Sequence, residues 1–376
     1  MIVLESPARG AADRLTAVTV RSVGVEEEFL LADPDGSRIL SLAPRVLRGE
    51  DELEKELTRQ QVETGTDPVR SLDDLRAELV RLRCTASDAA TAAGAALVAL
   101  GTSPVPVTPK TTVDERYQRM MEEFGRTGRQ QLTCGCHVHV DVASRDEAVG
   151  GMNRMQTWLP GLLAVAANSP FWNGEETGYA SYRTQVWDRW PSAGPIGPVA
   201  SAAEYDALVE ALIEAGVMLD RGMIYFDARP SDRYSTLEIR VADVCLSLDD
   251  AVLVAGLSRA LVSTAAGEWE RDDPMPAVRS ELLRAARWQA SRAGLDGKLV
   301  DLSTGRQVPA RTVLDALVAH VRPALEETGD LELVTEGLDR VFRRGTGAQR
   351  QLEACEKRGP DGLLRYAAEE TLAGCR

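Results

Sequence analysis

Cysteine and histidine are scarce in this chain, with six and three residues among 376. Cys134 and Cys136 lie close together, but C-x-C is not the spacing of a zinc ribbon. Cys84, Cys245, Cys355 and Cys375 have no neighbour in sequence, so reduced thiols in a cytoplasmic protein are the expectation. Basic residues are outnumbered, 43 Lys and Arg against 58 Asp and Glu, for a formal net charge of −15. That balance argues against nucleic acid as a partner, because binding it requires a basic footprint. No apolar run approaches the ~20 residues that span a bilayer. Glu5 and Asp13 stand where a signal peptide needs an apolar core, so neither membrane attachment nor secretion is expected. There is no repeat at a fixed period. Neither G-x-G-x-x-G after a strand nor G-x-x-x-x-G-K-[ST] occurs. A nucleotide bound here must be held by metal and arginines instead of a glycine-rich loop.

What is present is a sizeable core, 44% hydrophobic, in a length suited to one large enzyme domain. Residues 1–18 read as an N-terminal extension without order, and 19–376 as a single catalytic domain. Residues 19–31 form a strand closed by the turn Asp33-Pro34-Asp35-Gly36. Residues 43–57 look helical and charged. A short strand at 60–65 precedes a helix over 71–95, with Ser71 placed to cap it. The apolar run 97–103 suits a buried strand, and 113–124 a short helix. Strict alternation over 133–142 predicts a strand, and apolar spacing over 145–167 a helix. Residues 168–200 form a long aromatic loop. A helix at 202–215 leads to strands near 223–229 and 236–242. The rest is helical, with room for a β-hairpin at 294–309. Early strands and late helices define an α+β protein without regular βαβ alternation.

Side chains alternate faces along a strand. In the first strand Gly24, Glu26, Glu28 and Leu30 share one face, opposite Val23, Val25, Glu27, Phe29 and Leu31. In 133–142, His137, His139 and Asp141 oppose Cys136, Val138, Val140 and Val142. Glu238 and Arg240 oppose Leu237, Ile239 and Val241, and Gln61 with Glu63 opposes Val62. An antiparallel sheet with one solvated face also alternates in this way. Such a face, however, normally mixes Lys, Ser and Thr with its acids. Here it carries glutamates, histidines and an arginine, and stacked carboxylates are costly unless a cation meets them. Carboxylates suit Mg²⁺ or Mn²⁺, and imidazole shifts the preference toward Mn²⁺ or Zn²⁺. No cysteine shares the histidines' face, which disfavours structural zinc. His320, in a helical segment, reads as structural.

Several blocks, in order, resemble a known family: GVEEEF at 24–29, GCHVHVD at 135–141, ANSPFWNGEETGYASYR at 167–183 and LEIRVAD at 237–243. RWQASRAGLDG at 287–297 and GTGAQRQ at 345–351 extend the match. Together they resemble the bacterial glutamate–cysteine ligase type 2 family, carboxylate–amine ligases related to glutamine synthetase. The resemblance implies a curved antiparallel sheet whose concave polar face binds ATP and metal, with helices outside. It implies that ATP phosphorylates a carboxylate, typically the γ-carboxylate of glutamate, and that an amine, typically that of cysteine, attacks the acyl phosphate. Carried over, Glu26, Glu28, Glu63, His137 and Glu238 should ligate Mg²⁺ or Mn²⁺. Arg240 should face the transferred phosphoryl group. Arg183 and Arg229 should bind carboxylate or phosphate, and His139 should contact nucleotide or substrate. Asn168, Trp172 and Arg183 should contact the substrates.

Arginine suits these tasks because its planar fork matches carboxylate and phosphate oxygens. The aromatic segment 171–190 either shields a water-sensitive intermediate or plugs the loop onto the body. Gly345-Thr346-Gly347 either contacts phosphate or simply connects two helices. Two other readings stand beside the ligase: a non-catalytic nucleotide-binding regulator of the same fold, and a phosphotransferase. The intact set of carboxylates, His137 and Arg240 favours the ligase. The partners expected are a small carboxylate and a small amine, with a homodimer as the working quaternary state.

Overall fold

The computed structural model describes residues 20–375, so the extension expected at 1–18 lies outside the described residues. The order of elements is β1 (Val23–Ala32), α1 (Ala43–Val46), β2 (Leu53–Lys55), β3 (Gln61–Gly65), α2 (Leu72–Ala92), β4 (Ala96–Val98), α3 (Glu115–Glu123), α4 (Arg126–Arg129) and β5 (Gly135–Asp141). Then come α5 (Arg145–Met155), α6 (Leu159–Val165), β6 (Phe171–Trp172), β7 (Glu175–Glu176), α7 (Tyr182–Trp187), α8 (Ala202–Glu214), β8 (Ala228–Pro230) and β9 (Thr236–Asp243). The remainder is α9 (Leu248–Glu270), α10 (Ser280–Ala293), the hairpin β10 (Lys298–Asp301) and β11 (Arg306–Pro309), α11 (Ala310–Thr328), α12 (Leu331–Arg344) and α13 (Gly347–Thr371). The α+β reading and the late hairpin hold.

Six strands run in the order β2-β3-β1-β5-β9-β8, with β4 paired to the far end of β1, and every pairing is antiparallel. The apolar sides of β1, β5 and β9 pack against α2, α5, α6 and α9. Ser71 caps α2 as expected, accepting from the amides of Asp73 and Asp74. α9 is long and apolar enough to cross a membrane, which corrects the sequence expectation that no run is. However, 83% of that stretch is buried within the fold, the mark of a core helix.

Glu27, alone among the glutamates of β1, points into the helical layer. It is fully buried and meets Arg83 of α2 in a two-pronged pair, 2.5 and 2.9 Å. Arg83 also donates to the carbonyls of Cys245 and Thr371, so the pair ties β1, α2 and the end of α13 together.

Several local expectations are corrected. Of 43–57 only Ala43–Val46 is helical; the chain then turns into the edge strand β2. The strand at 97–103 shrinks to β4, and 145–167 divides into α5 and α6. The loop 168–200 contains a two-residue hairpin and α7. Reduced thiols hold for Cys134, Cys136, Cys245 and Cys355, but Cys84 and Cys375 are joined in a disulfide across 291 residues.

Candidate active site

The polar face of the sheet is a set of rows running across the strands. In one row His139 lies opposite both Gly24 and Glu238, and Glu238 lies opposite Arg229. In the next, Glu26 faces His137. In a third, Glu63 lies between Glu28 on β1 and Glu54 on β2. The β5–β9 register slips between Cys136 and Val138, so that Arg240 and Val241 together oppose His137. Arg240, on the cleft face by alternation from Glu238, sits at this bulge, its amide bonded to the Asp227 carbonyl.

Over this face lies a cleft of about 1290 Å³. Its floor includes Glu26, Glu28, Glu63, His137, Glu238 and Arg240. Two groups of donor atoms lie close enough to share an ion: Glu26, His137 and Glu238, and Glu28, Glu63 and His137. His137 belongs to both. It is 2% exposed, and its Nε2 has no hydrogen-bond partner among the described residues. A buried imidazole nitrogen left open beside carboxylates fits a divalent cation, and the mixed oxygen and nitrogen donors fit Mg²⁺ or Mn²⁺.

The electrostatics divide the two groups. Burial works against ionisation of Glu26, but His137 Nδ1 at 3.4 Å and His139 Nε2 at 3.3 Å hold it well below the usual carboxylate range. Glu238 is likewise held low despite burial, by Arg240 and by Arg229, whose Nε lies 2.7 Å away. Burial, then Glu56, pushes Glu28 up to about 8, although the Gly135 amide donates to it at 2.6 Å. Burial, then Glu56, Glu26 and Glu28, raise Glu63 well above its ordinary value. Burial, then Arg240, lowers His137 to about 4, so its ring is neutral and able to ligate.

The structure thus brings together Glu26, Glu28, Glu63, His137, His139, Glu238, Arg229 and Arg240. Of the other expected contacts, Asn168 and Trp172 lie away from the cleft lining, and Arg183 lies beside it. Arg183 is 3% exposed and outside the cleft lining, but it lies on the same face as His137, beside Glu28 and packed on Trp187, and it donates to the Arg240 carbonyl at 3.4 Å. Gly135 leaves room for it; a Cβ there would fall 2.3 Å from the guanidinium. Asn168 is buried and spends its side chain on Ala99, Val244 and Gln351. Trp172 packs on Tyr182 and under Arg189, outside the cleft lining.

The aromatic segment is split. Trp187 and Trp190 reach the cleft and pack on Tyr225, while Tyr179 and Tyr182 pack toward α10. Gly345-Thr346-Gly347 is a connector: Thr346 forms a capping box with Gln349 at the start of α13. His320 stacks on Trp158, a structural place.

Sequence reasoning missed Glu54 and Glu56, which extend the acidic face onto β2, because that segment reads as a helix. It also missed Arg116 of α3, which reaches Asp220 at 2.6 and 2.8 Å across one end of the cleft. Gly222 leaves space for that guanidinium. Only the charge of 'ERY' hinted at it, and its partner lies 104 residues away.

The fold is that of known ligases. A bifunctional glutathione synthetase from Pasteurella multocida superposes with a TM-score of 0.70 at 16% identity, over 94% of this chain and 52% of that one. This chain therefore spans about half the length of that synthetase. A glutamate–cysteine ligase from Francisella tularensis, solved with AMP, superposes at 0.67 and 14% identity, over 94% and 90%. The particular family follows from sequence. Residues 22–370 match glutamate–cysteine ligase family 2, and the chain belongs to that family. A glutamate–cysteine ligase 2 homologue of Frankia alni is 54% identical over 95% of this chain and 98% of its own. One of Streptomyces coelicolor is 45% identical over 95% and 98%.

Proposed function

We propose that this protein is an ATP-dependent carboxylate–amine ligase with glutamate as the acid. In the proposed reaction a glutamate side-chain oxygen attacks the γ-phosphorus of ATP, and ADP leaves. The amine nitrogen then attacks the acyl carbon, and phosphate leaves, giving an amide. Cysteine, named for the family, is the reference amine. The observation that carries the reading is the pair of ligand groups joined through His137, with Arg229 and Arg240 beside them. A divalent cation would be held by one of the two groups, Glu26, His137 and Glu238 or Glu28, Glu63 and His137, since a neutral imidazole offers one nitrogen to a metal. Bound there, metal would neutralise the phosphate charge that otherwise repels the acid.

The remaining work falls to the chain itself. Arg240, 9% exposed and on the cleft face beside Glu238, would meet the equatorial oxygens of the group in transit. Exposed Tyr234, edge-on to His139, and Arg233 beside it lie at the end of the cleft nearest Gly24. We assign that end to the nucleotide and the Glu28–Glu63 end to acid and amine. Dependence on ATP makes the cytoplasm the place of action.

The test is a hydroxylamine trap. ATP, Mn²⁺, glutamate and hydroxylamine should yield ADP and γ-glutamyl hydroxamate, and a chelator should stop both. ADP release without hydroxamate from glutamate or any of a broad panel of acids would remove the acyl phosphate from the reading.

A further inference from the structure

We infer that Arg287 of α10 is a positioning residue for Arg240: buried and away from the cleft lining, it fastens both of the groups that grip the Arg240 peptide. The inference rests on the ligase reading and deepens it.

The peptide of Arg240 is held on both sides. Its amide donates to the Asp227 carbonyl at 2.9 Å. Its carbonyl accepts from Nη1 and Nη2 of Arg183, each at 3.4 Å. Both contacts fall where the β5–β9 register slips. A bulge disrupts the ladder locally and bends the strand, so the groups that grip this peptide set where the Arg240 side chain starts from. Arg183 has little else to fix it. Its Nε has no hydrogen-bond partner among the described residues, and its guanidinium rests on the Trp187 ring, 5.6 Å from the centroid. Arg183 and Trp187 both belong to α7, so the placement of that helix decides where the grip on the Arg240 carbonyl lies.

Both grips lead back to Arg287. Its Nε lies 2.8 Å from Oδ1 of Asp227, an ion pair between two buried groups. Its Nη1 meets Oδ1 of Asp188, the residue that ends α7. One guanidinium therefore fastens the residue that receives the Arg240 amide and the helix that supplies the donor to the Arg240 carbonyl. α7 has other ties to α10. Gln185 donates to the Ser291 hydroxyl at 2.9 Å, and the Ser181 amide donates to the Ser291 carbonyl at 2.9 Å. Loss of the Arg287 fork would leave the helix docked by these bonds and free to shift at its Asp188 end.

The choice of residue fits this task. A pair that only braced the fold would need one acid, whereas Arg287 meets two on separate segments. The planar fork of arginine fixes the angle between its two partners, which the single point charge of lysine does not. Arg183, Arg240 and Arg287 are all buried, and taking three guanidiniums out of water is costly for stability. Transfer chemistry gives that cost a purpose. A preorganised donor must be held near its productive position, and a misplacement of about 1 Å costs on the order of a hundredfold in rate.

The test is a double-mutant cycle, read with ATP, Mn²⁺, glutamate and hydroxylamine at a temperature below the melting of every variant. Arg287→Lys should lower kcat about tenfold, part of the loss that a full 1 Å misplacement brings. The KM for ATP and the half-saturating Mn²⁺ concentration should move less than about threefold, since the loss falls on the transition state. In the Arg240→Lys background the same substitution should cost less than about threefold, because the group it positions is already gone. Asp227→Asn keeps the main-chain carbonyl and the side-chain size. It should follow the same pattern, and it carries the test where Arg287→Lys does not fold. Equal losses in both backgrounds, an unchanged kcat in the wild-type background, or a raised KM without a lowered kcat overturns the inference while the ligase reading stands. Near-normal turnover by Arg240→Lys overturns it as well, since nothing then needs positioning. Absence of hydroxamate from every acid with the wild type removes the ligase reading itself, and this inference with it.

Discussion

Arg240 is the residue we propose for the transferred phosphoryl group, and its surroundings allow two roles to be told apart. It is bonded to Glu238, which would make it a brace of the sheet, yet it also lines the cleft. As a phosphoryl clamp, its planar fork matters more than its charge. Arg240→Lys should then lower kcat about a hundredfold, the scale of losing one preorganised donor, and change ATP affinity far less. As a brace, the same variant would melt earlier and turn over almost normally at low temperature. Turnover, nucleotide binding and melting measured on one preparation separate these outcomes. Glu28 supports a second prediction. Its value of about 8 means that in the metal-free protein it carries a proton at neutral pH. Because the folded value exceeds the unfolded one, near 4.5, this group's contribution to stability is full below 4.5 and is lost as pH rises through 8. A bound cation replaces the proton and reverses that trend. Mn²⁺ should therefore bind more tightly at pH 8.5 than at pH 6, with proton release, in titration calorimetry. An affinity that stays flat over that range would contradict the assignment of Glu28 as a ligand.

At the scale of elements, β1 shows how one strand serves two layers. Glu26 and Glu28 face the cleft, while Glu27 between them is spent on Arg83 behind the sheet. Removing one partner of a buried pair strands the other charge, so Glu27→Gln should cost about 3–5 kcal/mol in urea unfolding. A loss below about 1 kcal/mol would mean that the pair does not anchor β1. The alternation that places Glu26, Glu28, His137 and Glu238 on one face is written in the sequence, because a strand's period of two needs no tertiary information. The helix α2 was equally legible from Ser71 and the spacing behind it. What escaped has a physical cause in each case. Residues 53–55 form an edge strand with one apolar anchor, Leu53, so no alternation distinguishes them from a charged helix, and Glu54 and Glu56 went unseen. Asn168 and Trp172 lie in a recognisable block. Their distance from the cleft depends on how the 168–200 segment folds back onto Asp243, which accepts from Ser169 and Ser181. That is a tertiary fact which no local spacing reports. The bulge at Arg240 is likewise a property of two strands together.

Across the whole molecule, the C-terminal end of the described chain is fastened to its early elements. Cys375 follows α13, and Cys84 lies in α2, the helix that stands behind β1. Their bond closes a loop of 291 residues. Closing a loop that long removes much of the freedom of the unfolded chain, and losing such a bond typically costs about 2–5 kcal/mol. The neighbourhood adds to this. Arg83, next to Cys84, donates to the Thr371 carbonyl near the end of α13, and Thr371 accepts from the amide of Ala99. The terminal helix is thus held at three points against the layer that positions Glu26 and Glu28. Cys375→Ser should therefore unfold at lower urea and lower temperature than the wild type. Reducing agent should lower the wild type to the level of the variant and leave the variant unchanged. Alkylation of the unfolded, unreduced wild type should modify four of its six cysteines. If all six react, the thiols are free and the fold is held without the bond. If four react but reductant does not move the melting curve, the bond is present without contributing to stability, and the terminal helix is held by Arg83 and Thr371 alone.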